Sequence, residues 1–274
     1  MKVFKKNIII LGSKGKLGLN IKEHLKQDNI LFLDEFINIK ELLNLSFLNK
    51  NKINCIINCI GSTNSEDSYF ISNFYFPSFL SEKLKDLDLC LKQQLTLIHI
   101  SSIGIRAPYM KYNFKPIYFS PFEKLKIKYN LYELSKSCGE YNLYNNLKNT
   151  KNINTFILQP SNIIFKNSDF LKKLRFFLLI LPIKADKDIK LAITPIDYLL
   201  NNICELIQTS CKSNIEIRKL FKRVNFNVLF KKYRYIEFFK IKVPLKILQN
   251  SIKSIPENFF LYRLKRILIF IFIL

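Results

Sequence analysis

Glycine is scarce in this sequence. The 274 residues hold six glycines, two methionines, no tryptophan, and two histidines, His24 and His99. With so little histidine, and with six cysteines (Cys55, Cys59, Cys90, Cys138, Cys204, Cys211) scattered without close ligand spacing, no metal site is expected. Cys55 and Cys59 lie in an apolar run whose strand geometry puts both on one face, the pattern of two buried thiols. The cysteine usage and the lack of an N-terminal signal segment point to a reducing, cytoplasmic setting. Acid is also short: 21 Asp and Glu face 44 Lys and Arg, a formal charge of +23. Such a balance favours an anionic partner, whether nucleic acid, a membrane surface or a phosphorylated metabolite. A long apolar run is missing, because the eight residues Ile267–Leu274 are too few to cross a bilayer of about 30 Å as a helix.

What is present is a globular composition. An apolar share of 49% excludes wholesale disorder, and the length allows a large α/β domain with a smaller appendage. Apolar runs at 6–11, 30–33, 53–60, 95–100 and 155–158 read as strands, and the stretches 17–26, 38–49, 69–85 and 124–149 between them read as helices. That alternation predicts a Rossmann-like, doubly wound parallel sheet covered on both faces. Beyond Pro160 the rhythm loosens: 171–183 and 197–208 read as helices and 191–194 as a short strand. The expected division is a Rossmann-like domain over 1–160. A substrate-side lobe with a basic tail over 161–274 is partly interleaved with it.

Three of the six glycines, Gly12, Gly15 and Gly18, fall in GSKGKLG directly after the first apolar run. A glycine turn opening a helix suits either an ordinary tight turn or a phosphate cradle, because absent Cβ atoms let a pyrophosphate approach the helix N-terminus. Asp34 ends the second strand, 22 residues after Gly12, where a carboxylate can accept both hydroxyls of an adenosine ribose and would repel the extra phosphate of NADP. NAD is therefore expected over NADP, although Asp34 also suits a solvated strand end.

Chemistry enters after the fourth strand. Ser102 stands at its end, and Tyr132-Glu-Leu-Ser-Lys136 follows about thirty residues later. Positions four apart share a helix face, so the phenol and the ammonium point into one space. The cation can lower the phenol pKa from about 10 and let the oxygen act as acid or base near neutrality. Tyr132 would then exchange the alcohol proton, with the Ser102 hydroxyl on the same substrate oxygen.

Together these segments resemble the extended short-chain dehydrogenase/reductases, the NAD-dependent epimerase/dehydratase group that acts mostly on nucleotide-activated sugars. The likeness covers residues 6–210 and rests on GSKGKLG, Asp34, Asn58-Cys-Ile-Gly61, Asn73, Ile100-Ser-Ser102, YELSKSCGE at 132–140, Gln159-Pro-Ser-Asn162 and Thr194-Pro-Ile-Asp197. The resemblance implies that Ser102, Tyr132 and Lys136 are catalytic. It places Gly12, Gly15, Lys16, Leu17, Gly18, Asp34, Gly61, Tyr132, Lys136 and Pro160 along NAD, with Ser102 and Asn162 on the sugar nucleotide. A homodimer and a place in polysaccharide biosynthesis are further implications. Ile103-Gly104 stands where dehydratases of the group carry Asp-Glu, so dehydration is not expected. Gln159 replaces a common Arg, and IKADKDIK at 183–190 replaces a glycine-rich stretch.

Epimerisation and reduction of a 4-keto-sugar nucleotide share the trio, and Asp34 tips the reading toward an NAD-retaining epimerase. A noncatalytic member that keeps only the cradle is the other alternative. Residues 212–274 carry 15 Lys and Arg against 3 Glu. This tail suits either peripheral contact with anionic membrane or docking in the core or in a dimer. No specific binding of nucleic acid is expected.

Overall fold

Asn7–Leu11 forms β1, whose last four residues are buried, as befits a strand covered on both faces. In this computed structural model the described residues are 7–25, 30–33, 39, 43–62, 66–103, 131–165, 183–185, 190–208, 215–225 and 241–243. The glycine turn leads from β1 into α1 (Lys16–Leu25), and β2 (Ile30–Leu33) follows. Helix α2 (Leu45–Lys50) is capped by the Asn44 side chain, which accepts from Phe47 N at 2.9 Å, and precedes β3 (Ile53–Asn58). Next come α3 (Glu66–Tyr69), a π-helical turn (Phe70–Tyr75) and α4 (Phe76–Leu87), in one continuous run. β4 (Leu95–Ile100), α5 (Leu131–Leu147) and β5 (Ile153–Pro160) continue the alternation.

These strands form a sheet of order β2-β1-β3-β4-β5, with β9 (Ile215–Leu220) at the far edge. The pairs β1–β2, β1–β3, β3–β4 and β4–β5 are all parallel. The doubly wound parallel sheet is thus present. Its order places the topological switch between β1 and β3, since the chain leaves β1 toward one edge and β3 toward the other.

By contact the chain divides into two compact units, Met1–Gln159 with Asp197–Lys219, and Pro160–Ile196 with Leu220–Leu274. The core of the first joins Ile9, Leu11, Ile56, Leu97 and Ile157 of the sheet to Phe76, Leu80 and Leu84 of α4 and Leu143 and Leu147 of α5. Small residues let α4 and α5 approach closely, and each contact is also a hydrogen bond: Asn142 Nδ2 donates to Ser78 Oγ at 2.8 Å and Asn146 Nδ2 to Ser81 Oγ at 2.9 Å. Helix α6 (Ile196–Gln208) buries Leu199, Leu200, Ile203, Leu206 and Ile207. In the second unit β8 (Lys190–Pro195) lies between β6 (Asn162–Ile164), parallel to it, and β10 (Lys222–Asn225), antiparallel. A separate parallel pair joins β7 (Ile183–Ala185) to β11 (Ile241–Val243).

Several elements differ from the sequence reading. β5 extends past 155–158 at both ends because Asn154 and Gln159 are buried strand residues rather than polar stops. β9 and β10 form from charged sequence that carried no strand expectation, with Arg218 bridging Glu205 at 3.0 Å and lying over the Phe156 ring. Residues 124–130 of the helix expected at 124–149, residues 171–182 of the helix expected at 171–183, and the C-terminal segment 244–274 lie outside the described residues, while Ile183 opens strand β7 instead of ending a helix. Among the described residues no helix is long and apolar enough to cross a membrane, and no cluster of His, Cys, Asp and Glu could hold a metal.

The turn from α5 to β5 hangs on Asp88. Its buried carboxylate accepts from Lys151 N at 2.8 Å and Asn152 N at 2.7 Å, while its backbone oxygen accepts from Asn152 Nδ2 at 2.7 Å. Asp88→Ala leaves both backbone donors without that partner and is expected to cost about 2 kcal/mol in denaturant unfolding. A loss within the error of the measurement would show that water replaces the carboxylate.

Candidate functional site

The site grows from the switch between β1 and β3. Gly12 follows β1 with a φ of +80°, a conformation that L side chains rarely adopt. A Cβ there would also lie 3.0 Å from Ile60 N, because the end of β3 runs close alongside, with Cys59 N donating to Leu11 O at 2.9 Å. Gly15 N donates to Gly12 O at 3.1 Å, closing the turn, and Gly15 O accepts from Leu19 N at 3.0 Å. Gly18 is buried on the turn itself, where a Cβ would strike Gly12 O and approach Ser13 Cα to 2.7 Å. Lys14, Gly15 and Lys16 are exposed and Leu17 is half-buried. The bare backbone and the positive end of α1 thus form a cradle that fits a dinucleotide pyrophosphate.

Across the switch, Asn73 clamps the chain after β3. Ser62 N donates to Asn73 Oδ1 and Asn73 Nδ2 donates to Ser62 O, both at 3.1 Å, and the same Nδ2 reaches Ser135 Oγ at 3.3 Å. Asn73 lies in the π-helical turn, a local widening that recurs at functional sites. Gly139 makes the approach of α5 possible, since a Cβ there would collide with the Asn73 carbonyl oxygen. Both ends of the clamp therefore depend on backbone that α5 can touch directly.

Tyr132 and Lys136 lie on consecutive turns of α5. Tyr132 is half-buried, its ring meeting Tyr69 edge-on with centroids 5.7 Å apart. Lys136 is buried, with 6% of its surface exposed, and its Nζ donates to Ile100 O over a long 3.4 Å. A Cβ on Gly61 would stand 2.7 Å from that Nζ, so the ammonium sits directly against the Gly61 backbone. Burial lowers the Lys136 pKa to about 8, opposed by the neighbouring Cys59 and Glu140. The amine is thus charged at neutral pH and loses its proton within the mildly alkaline range.

Of the residues nominated from sequence, Gly12 and Gly18 meet in the first turn, Gly12 lies against Cys59 and Ile60, and Gly61, next in the chain, faces Lys136 Nζ, with Tyr132 one helical turn before Lys136. Ser102 is half-buried and follows β4 two residues after Ile100, the Lys136 acceptor. Asp34 lies outside the described residues. Pro160 and Asn162 belong to the second unit, where Asn162 pairs with Ile193 and Ser161 N donates to Thr194 Oγ1 at 2.8 Å.

Sequence reasoning missed the polar layer behind α5. Ser101 Oγ donates to Glu140 Oε2 and Gln159 Nε2 donates to Glu140 Oε1, each at 2.6 Å. Beside them His99 is held near neutral form, its pKa lowered to about 3 by burial and then by Lys136, with Asn58 Nδ2 3.0 Å from its Nδ1. The available signal was spacing: Glu140 stands four residues after Lys136 and shares its helix face.

No protein-family model matches the sequence, and no curated protein matches it. Solved structures do. WbmG of Bordetella bronchiseptica in complex with NAD is 13% identical, with a TM-score of 0.61 over 88% of this chain and 82% of that one. UDP-glucuronic acid 4-epimerase from Bacillus cereus in complex with NAD is 16% identical, with a TM-score of 0.57 over 86% and 87%. dTDP-4-dehydrorhamnose reductase from Bacillus anthracis in complex with NADP is 18% identical, with a TM-score of 0.55 over 88% and 84%. At these identities the likeness establishes the Rossmann-like fold.

Proposed function

We propose that the chain is an NAD-dependent sugar-nucleotide epimerase that works by reversible hydride transfer at a sugar hydroxyl. The observation that carries this reading is the Lys136 ammonium, buried against Gly61 at the β1–β3 switch, with Tyr132 one turn away on the same helix. The glycine cradle holds the dinucleotide pyrophosphate, and Lys136 reaches its nicotinamide ribose. Bound NAD would supply the hydride acceptor and return the same hydride. Tyr132, its phenolate favoured by the Lys136 charge, takes the sugar hydroxyl proton while Ser102 hydrogen-bonds the same oxygen. After the resulting ketone turns its other face, Tyr132 gives the proton back. NAD-bound structures with this fold, one of them a 4-epimerase by name, support the choice of reaction class.

A second reading, a reductase of 4-keto-sugar nucleotides, is favoured by the dTDP-4-dehydrorhamnose reductase with NADP among the similar structures. The two differ in the fate of the cofactor. Native mass measurement of freshly purified protein, with identification of any released small molecule, is expected to find NAD carried through purification. Incubation with a panel of nucleotide sugars should then yield an epimer without net accumulation of NADH. Stoichiometric consumption of NADPH by a keto sugar would select the reductase. Retained dinucleotide without hydride transfer to any sugar would leave a binding protein, and failure to bind either dinucleotide would remove the redox account.

A further inference from the structure

Asn58 and His99 are register partners on the parallel strands β3 and β4, and both are buried. Each end of the Asn58 amide has a fixed task. Its Oδ1 accepts from Ile60 N at 3.0 Å, two residues on, which bends the chain as it leaves β3. A backbone N–H cannot point at an amide nitrogen, so this bond settles which end of Asn58 is oxygen. The other end is the Nδ2 donor, 3.0 Å from His99 Nδ1. Nδ1 must therefore accept, and the imidazole is neutral with its proton on Nε2. Burial favours the same neutral form, pushing the His99 pKa down to about 3.

The bend matters because of what the next four residues touch. Cys59 N donates to Leu11 O at 2.9 Å, and Ile60 N lies 3.0 Å from the place a Gly12 Cβ would take. Gly61 presents its backbone to Lys136 Nζ and Asn73 Oδ1, which stand 2.7 and 3.1 Å from where its own Cβ would be. Ser62 is then clamped by Asn73 through both its N–H and its carbonyl. One short stretch thus faces the glycine turn first and the ammonium next, and the Asn58 side chain sets its course at the start. A proton on His99 Nδ1 would meet the Nδ2 donor head on. The amide would turn over and withdraw the acceptor from Ile60 N.

We infer that His99 is a positioning residue: held as the Nε2–H tautomer, it fixes the Asn58 amide through Nδ1, and Asn58 in turn fixes the Ile60 and Gly61 backbone that faces Gly12 and Lys136. Its bearing on catalysis rests on the reading given under Proposed function. The hydrogen-bonded chain itself does not.

Nitrogen NMR of labelled histidine in the full-length resting protein reads the tautomer directly, and with two histidines in the chain the exposed His24 is identified by loss of its signals in His24→Gln. At neutral pH His99 is expected to show an unprotonated Nδ1 and a protonated Nε2. A protonated Nδ1 overturns the inference, whether or not any variant folds. In folded His99→Leu the Asn58 amide loses its orienting acceptor, and the Ile60 amide should exchange with solvent about tenfold faster while those of Ile8–Leu11 keep their rates. His99→Asn returns an oxygen near the place of Nδ1 and should restore most of that protection. Unchanged Ile60 exchange in folded His99→Leu overturns the inference. Where that variant does not fold, Asn58→Asp takes its place: the carboxylate still accepts from Ile60 N but cannot donate, so His99 Nδ1 should become protonated, and an Nδ1 that stays bare overturns the inference. None of these readouts needs cofactor or turnover. The expected tautomer and exchange in a protein that binds no dinucleotide would support the inference and remove only the epimerase reading.

Discussion

Tyr132→Phe is expected to lower the rate of hydride transfer by about 10²–10⁴-fold, while the folded protein still binds its dinucleotide. The substitution removes one oxygen. The ring stays, and with it the edge-on contact to Tyr69 and the half-buried position at the start of α5. What is lost is the group whose proton moves as the C–H electrons leave the sugar carbon. Ser102 can still hydrogen-bond the substrate oxygen, but a serine hydroxyl gives up its proton far less readily than a phenol. Single-turnover transfer to or from bound NAD, measured on the nucleotide sugar that the panel identifies, separates chemistry from binding. A rate unchanged in a folded, dinucleotide-loaded Tyr132→Phe protein would take the phenol out of the mechanism and leave the glycine turn as a binding feature only.

That experiment depends on a pair of residues whose relation could be read from spacing alone. Tyr132 and Lys136 are four apart in a helical stretch, and a helix has no other way to place them than on one face. The glycine turn was legible for a similar reason, because glycine is so sparse here that three in seven residues after an apolar run mark a backbone constraint. The parallel sheet followed from alternation of apolar runs with longer amphipathic stretches.

The remainder was hidden by the ambiguity of polar residues. Gln159 looked like the stop after a strand and Glu140 was only the last residue of the YELSKSCGE segment, yet both are at most 1% exposed. A one-dimensional pattern records that a residue is polar but not that a second polar residue, far away in sequence, satisfies it. The π-helical turn at Phe70–Tyr75 was invisible for another reason: its residues continue a helical pattern, and the widened turn shows only in the backbone that presents Asn73 to Ser62 and Ser135. The charged strands β9 and β10 escaped because their alternation is weak and Arg218, besides pairing with Glu216 on its own strand, draws on Glu205 and the Phe156 ring from other elements.

Whether the glycine turn is a cradle or only a bend is decided by comparing two alanine substitutions that physics separates. At Gly18 the new methyl would run into Gly12 O and Ser13 Cα, both backbone atoms that cannot rotate away. Gly18→Ala should therefore pry α1 from the end of β1 and cost about 2–3 kcal/mol even without cofactor, seen as a melting temperature lower by roughly 4–12 °C. At Gly15 the methyl meets only Gly12 O at 3.3 Å, and the residue is exposed. Its backbone is not in the left-handed region, since the positive-φ glycine described is Gly12. Gly15→Ala should therefore leave the cofactor-free melting temperature nearly unchanged. Its methyl nevertheless stands on the open side of the turn, where a pyrophosphate must come close to the backbone. Added NAD stabilises the fold in proportion to its affinity, so the rise in melting temperature that it gives wild-type protein should shrink sharply in Gly15→Ala. Full retention of that rise would mean that the dinucleotide does not lie across residues 12–18, and the epimerase reading would lose its cofactor site even if Tyr132 and Lys136 stay where they are.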